Sequence, residues 1–223
     1  MTHSRKAQVF LEAMGASGIN EIYLSRTQVR GTRPPSDRKG PFSKLREQVL
    51  RCTKCHELAA TRHTVVFGSG NPEARLMLVG EAPGAEEDRQ GLPFVGPAGQ
   101  LLTKMLAAIG LSRDEVFIAN VLKCRPPGNR PPQPQEIENC EPYLALQIEL
   151  IHPKLICALG TFAAQTLLKT TAPISSLRNR IHDYRGIAVI CTFHPSYLLR
   201  NPAEKRRSWE DLKKVRELLE KAR

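Results

Sequence analysis

From Arg75 onward the chain alternates short apolar runs with segments in which apolar residues recur every three and four positions. The runs are Leu76–Val79, Val116–Ala119, Leu155–Leu159 and Ile187–Phe193. Each is apolar at nearly every position, which predicts a strand covered on both faces rather than one wetted on alternate residues. Between them, Gln100–Ile109, Gln135–Ile151 and Phe162–Leu168 carry helical spacing, and Ala203–Lys221 follows the last run. Strand and helix in alternation predict an α/β fold: one three-layer α/β/α domain with a central, mostly parallel, four-stranded sheet.

Upstream, Phe42–Leu50 resumes helical spacing with Phe42, Leu45, Val49 and Leu50 on one side. Gln8–Met14 predicts a short helix, and Gly31–Gly40, rich in Pro, Gly and charge, predicts a mobile linker. The chain thus divides into a basic, partly flexible extension, residues 1–41, and one domain, residues 42–223.

Composition changes little in that picture. Of 223 residues, 41% are hydrophobic and 25% charged, an ordinary globular balance that excludes disordered and fibrous classes. No apolar run approaches the roughly 18 residues of a spanning helix, so no membrane span is expected. Residues 1–25 interleave Arg5, Lys6, Glu12 and Glu21 and do not read as a secretory leader, so a cytoplasmic location is expected.

Charge is more informative. The net +11 is spread as +5 over residues 1–45, 0 over 46–177 and +6 over 178–223. Basic ends around a neutral middle point to a polyanionic partner met by particular surfaces; a merely solvated basic face accounts for charge alone equally well.

In a reducing compartment grouped cysteines suggest a metal or cluster site rather than disulfides. Cys52 and Cys55 form a C-x2-C pair, with Cys124 and Cys140 farther along. Four thiolates suit either zinc or an iron-sulfur cluster, and spacing does not separate the two. Cys157 and Cys191 lie inside apolar runs and read as small core residues.

Ligands of open α/β sheets bind where the strands' carboxyl ends release their loops. Those loops here are Gly80-Glu81-Ala82-Pro83-Gly84, the stretch from Asn120 to Asn129, Gly160-Thr161 and His194-Pro195-Ser196. A parallel sheet brings Glu81, Asn120 and His194 to one rim. Singly, each has an ordinary explanation: an exposed loop acid, a turn cap, a satisfied loop histidine. Together, with glycines bracketing the first loop and Pro83 stiffening it, they describe a site.

Gly80-Glu-Ala-Pro-Gly-Ala-Glu-Glu-Asp88, Pro93-Phe-Val-Gly96, Asn120-Val-Leu-Lys-Cys-Arg-Pro-Pro127 and His194-Pro-Ser-Tyr-Leu-Leu-Arg200 resemble the motifs of the family 4 uracil-DNA glycosylases, the iron-sulfur branch of that superfamily, over roughly residues 45–215. The resemblance implies a base-excision repair enzyme acting on uracil-containing DNA as a monomer. It implies a [4Fe-4S] cluster, in preference to zinc, on Cys52, Cys55, Cys124 and Cys140. Glu81, Asn120 and His194 become the catalytic residues. Gly80, Ala82, Pro83, Gly84, Asp88, Phe94, Asn120 and Ser196 surround the base, with Asp88 either sharing in water positioning or capping a turn. Tyr197, Leu198 or Leu199 supplies a wedge into the vacated stack, while Arg200 and Lys205-Arg206-Arg207 meet phosphates. His182 reads as a loop residue or phosphate contact.

Two other classes compete. A non-catalytic zinc or iron-sulfur nucleic-acid-binding protein explains the cysteines and the basic ends but not the rim acid and amide. A nucleotide-binding α/β protein lacks its signature, since Gly80–Gly84 carries neither a P-loop Lys-Ser/Thr nor G-x-G-x-x-G.

Overall fold

The computed structural model describes residues 39–222. The expected Gln8–Met14 helix and the linker as far as residue 38 lie outside the described residues. One sheet contains six strands: β1 (Ser69–Gly70), β2 (Leu76–Gly80), β3 (Phe117–Asn120), β4 (Leu155–Leu159), β5 (Ile181–Tyr184) and β6 (Ile187–Thr192), in the order β1-β3-β2-β4-β6-β5. The four apolar runs form its parallel middle. The four-stranded expectation is corrected by two antiparallel edge strands. β1 has two residues, too few for a period. β5 reads Ile-His-Asp-Tyr, mixed in polarity because its edge is wet. It joins β6 through Arg185 (φ 53°) and Gly186 (φ 87°), a two-residue turn with both φ values positive, the geometry that matches strand twist in a hairpin.

Period-two alternation divides the buried strand residues between two cores. Met77, Val79, Phe117, Ala119, Ile156, Ala158, Val189 and Cys191 face one. Leu76, Leu78, Ile118, Leu155, Cys157, Leu159 and Ile190 face the other. The placement of Cys157 and Cys191 inside the core follows directly, with both almost fully buried.

The helices are α1 (Lys39–Leu50), α2 (His56–Thr61), α3 (Ala85–Gln90), α4 (Pro97–Ala108), α5 (Pro134–Ile151), α6 (Thr161–Leu168), α7 (Ile174–Leu177), α8 (Pro195–Arg200) and α9 (Lys205–Lys221). α1, α5 and α6 cover the first core through residues such as Leu45, Leu144 and Leu167. α4 and α9 cover the second through Leu102, Leu106, Leu212 and Val215. Each fully buried side chain of this kind stabilises the fold by about 1.5–3 kcal/mol. Leu50 departs from its expected place: the last residue of α1, it is 37% exposed, and the inward face there is carried by Leu45 and Val49. Pro97 and Pro134 occupy first-turn positions, where a missing N–H costs nothing, and so start α4 and α5 earlier than apolar spacing alone predicts. Among the described residues no helix is long and apolar enough to cross a membrane.

Candidate active site

Because β2, β3, β4 and β6 are parallel, their carboxyl ends share one rim. Gly80 and Asn120 are register partners there. The loops beyond enclose a cavity of about 370 Å³, within the usual range for small-molecule sites. Glu81, Ala82, Pro83, Gly84, Phe94, Asn120, His194 and Ser196 line it, joined by Arg200, which the sequence reading assigns to phosphates, and by Glu87, Ala98, Pro126, Asn129 and Arg130. Gly80 contributes by having no side chain: a Cβ would stand 2.4 Å from Asn120 Oδ1 and 2.6 Å from Phe94 Cζ. Gly160 does the same beneath the imidazole, at φ +91° and with a Cβ position 2.9 Å from that of His194.

The three polar side chains differ in state. Burial raises the Glu81 carboxyl above its ordinary value. Asn120 is 1% exposed, and its Oδ1 finds no hydrogen-bond partner among the described residues. Such an acceptor is costly to leave unpaired, so the cavity is built to receive a donor. His194 is held neutral: burial, helped by the positive charge of Arg200, lowers its pKa to about 4. Its Nδ1 accepts the Ser196 backbone N–H at 3.2 Å and lies 2.7 Å from Ser196 Oγ.

Phe94 forms an apolar wall, its ring centroid 5.5 Å from that of His194 and tilted by 35°. Its backbone is left-handed, φ 53°, which an aromatic residue adopts only under constraint. Two residues that sequence reasoning missed supply it. Arg113 donates to Pro93 O at 2.7 Å and Phe94 O at 3.0 Å. Glu87 accepts from Val95 N and Gly96 N, each at 2.9 Å, and from Gly84 N at 3.1 Å. Glu87 had a local signal, an acid three residues after the helix-capping Gly84. Arg113 had none.

Other expected site residues stand elsewhere. Asp88 is corrected: its carboxylate accepts the backbone N–H groups of His63 and Thr64, so it ties the segment before β1 to α3 and does not line the cavity. Leu198 is corrected too, being 1% exposed within the second core. Leu199 is 43% exposed. Tyr197 stacks against Phe193 at 5.0 Å. His182 lies on β5, with Nε2 against Leu177 O at 2.7 Å, rather than in a loop.

The four motif cysteines come from three segments. Cys52 and Cys55 are partly exposed; Cys124 and Cys140 are buried. Cys55 hydrogen-bonds Cys140 and also receives Asn139 Nδ2 at 3.5 Å. Tyr143 bonds Cys52, and Arg62 donates to Cys124 Sγ at 3.0 Å. Among the described residues no three His, Cys, Asp or Glu side chains meet closely enough to share a single metal ion.

The family model described as the uracil DNA glycosylase superfamily matches residues 67–213. The chain is similar to the Type-4 uracil-DNA glycosylase of Archaeoglobus fulgidus, 44% identical over 77% of this chain and 89% of the relative. It is 45% identical to that of Sulfurisphaera tokodaii over 79% of this chain and 84% of the relative, and 45% identical to that of Thermotoga maritima over 78% and 93%. Relatives this similar span most of both chains, and the motifs that carried the resemblance stand where the sheet presents them to one cavity; the chain belongs to the Type-4 uracil-DNA glycosylases.

Proposed function

We propose that this chain extrudes uracil from DNA and hydrolyses its N-glycosidic bond, releasing free uracil and leaving an abasic site for base excision repair. The observation that carries the reading is the buried, unpartnered Asn120 Oδ1 in a cavity it shares with Glu81 and His194. Uracil offers N3–H to that oxygen and O4 to the amide Nδ2; cytosine presents the reverse pattern and leaves the amide mispaired. Phe94 supplies a face for stacking.

As the bond breaks, positive charge grows on the sugar and negative charge on the uracil. With Nδ1 committed as an acceptor, neutral His194 carries its proton on Nε2 and donates it as a hydrogen bond to the developing O2 anion. In its carboxylate form Glu81 favours the cationic sugar and holds the attacking water. Extrusion costs about a few kcal/mol of lost stacking and pairing. Exposed Leu199 is the wedge that replaces the lost contacts, and Arg200 with Lys205-Arg206-Arg207 meets the phosphates.

The same reading assigns a [4Fe-4S] cluster to Cys52, Cys55, Cys124 and Cys140. The preference for the cluster over zinc comes from the family resemblance; the four thiols stand in three segments, and Arg62, which donates to Cys124 Sγ, would offset the negative charge of such a centre. When bound, the cluster supplies a rigid tie among the segments that carry its ligands. The same family reading carries action on DNA in the cytoplasm, as a monomer.

The test is incubation with an oligonucleotide containing one deoxyuridine, followed by alkali. Scission at the uracil supports the enzyme; binding without scission supports a non-catalytic nucleic-acid-binding module. Glu81→Gln and His194→Asn each lower kcat by about 10²–10³ while DNA binding persists. Unchanged rates in both variants reject the assignment.

A further inference from the structure

Lys123 is a lysine at 1% exposure, one of the largest fully buried side chains of the protein. Burying an ammonium is expensive, and a methionine of similar reach would fill the space without that cost. Its contacts show what the amine is used for. Nζ donates to the backbone oxygen of Asn120 at 2.8 Å and to Gln147 Oε1 at 2.6 Å. Gln147, fully buried on α5, passes the chain of bonds on through Nε2 to Phe67 O at 2.9 Å. The main chain of Lys123 is pinned as well: its carbonyl accepts from Val66 N at 2.7 Å, and its N–H bonds Cys140. The side chain therefore doubles back three residues to grip the peptide that bears the base-reading amide, from inside the protein, on the side away from the cavity.

We propose that Lys123 and Gln147 are positioning residues for Asn120, forming a buried strut that fixes the carboxamide for recognition of a pyrimidine carrying an N3–H donor. The inference rests on the uracil-excising function proposed above and deepens it. Asn120 is the last residue of β3, and in the peptide that follows it the Val121 N–H donates to Gly80 O at 2.9 Å while the Asn120 carbonyl accepts from Lys123 Nζ, so the strut holds the half of that peptide that β2 does not. A base-reading amide must hold two bonds at once, and an error of a few tenths of an ångström weakens both. The strut also joins two sites. Cys124, next in sequence, and Cys140, bonded to the Lys123 N–H, are motif cysteines, so the segment that orders the thiols also orders Asn120.

The experiment uses the full chain and two variants that remove the strut from opposite ends, Lys123→Met and Gln147→Leu, with Gln147→Glu as the conservative partner that retains an acceptor for the ammonium. Three quantities are read: inhibition of excision by free uracil, kcat and KM on a deoxyuridine oligonucleotide, and thermal melting with visible absorption to follow fold and cluster. The expected result is a rise in the uracil inhibition constant and in KM of about tenfold to a hundredfold in the first two variants, with rescue to within about threefold in Gln147→Glu. Should Lys123→Met not fold, Gln147→Leu decides. Wild-type uracil inhibition in a folded Gln147→Leu protein, or loss of melting temperature with no change in uracil inhibition, overturns the proposal. A wild-type protein that leaves the oligonucleotide intact overturns the proposed function instead, so the two failures are distinguishable.

Discussion

The Ser196 backbone N–H donates to Nδ1 of His194 at 3.2 Å, and this bond decides which imidazole nitrogen can face a substrate. A main-chain N–H has no alternative role, so Nδ1 is an acceptor, and a neutral ring must carry its proton on Nε2. The bond costs the fold nothing extra, because Ser196 is in the first turn of α8, where backbone N–H groups lack intrahelical partners. Sequence order, helix start and tautomer are thus one arrangement.

The pH dependence follows from it. His194 is lowered to about 4 from an ordinary 6.5, so in the folded protein it stays neutral down to mildly acidic pH. Glu81 is raised above 4.5 by burial, so it protonates first as pH falls. The acid limb of kcat/KM is expected to belong to Glu81, with His194 contributing no step near 6.5. For stability the sign is the same: the unfolded chain binds the histidine proton below pH 6.5 while the fold does not, so this contribution is complete above 6.5 and lost as pH falls toward 4. A limb centred near 6.5 that vanishes in His194→Asn contradicts the neutral-imidazole mechanism.

Leu198 and Leu199 are adjacent and are expected to respond oppositely to truncation. Leu198 is in the second core, so Leu198→Ala leaves a cavity and costs about 2–5 kcal/mol, read as a lowered melting temperature. Leu199 is 43% exposed, so Leu199→Ala melts as the wild type does but excises uracil more slowly from duplex than from single-stranded DNA, where there is no stack to wedge open. Equal slowing on both substrates would remove Leu199 from that role.

Asp88 separates stability from recognition. Its buried carboxylate satisfies the N–H groups of His63 and Thr64, and Asp88→Ala leaves them without a charged acceptor. A loss of roughly 1–3 kcal/mol in unfolding free energy is expected, with the uracil inhibition constant unchanged in the folded fraction. A selective loss of uracil affinity at unchanged stability would return Asp88 to the base pocket.

What the sequence made legible is whatever its local pattern encodes. Four apolar runs gave the parallel middle of the sheet, and the parallel arrangement itself placed Glu81, Asn120 and His194 on one rim. The edge strands carried no such pattern, though Arg185-Gly186 was a turn signal available to be read. Leu198 has no pattern of its own in so short a segment; with Pro195 in a first-turn position Pro195–Arg200 is a helix, and a helix turns Leu198 inward and Leu199 outward. Lys123 lay in plain view inside a motif, yet lysine is so rarely buried that composition and spacing argue against the place it holds. Gln147 and Arg113 act through contacts 24 and 19 residues away in sequence, which no local period reports.

Arg113 provides the last test, since it bears on the chemistry through the backbone carbonyls of Pro93 and Phe94. It spans the consecutive carbonyls of Pro93 and Phe94 while Glu87 takes the two N–H groups that follow, so charges of opposite sign hold the peptide from both sides. Without that grip, Phe94 at φ 53° is free to relieve about 1–2 kcal/mol of left-handed strain by leaving the pose in which its ring faces His194. Arg113→Met is expected to raise KM and the uracil inhibition constant about tenfold. Arg113→Lys restores the charge but not the two-carbonyl fork and is expected to recover little. Full recovery by lysine would show that charge near Glu87, rather than the geometry of the fork, is what the stacking wall requires.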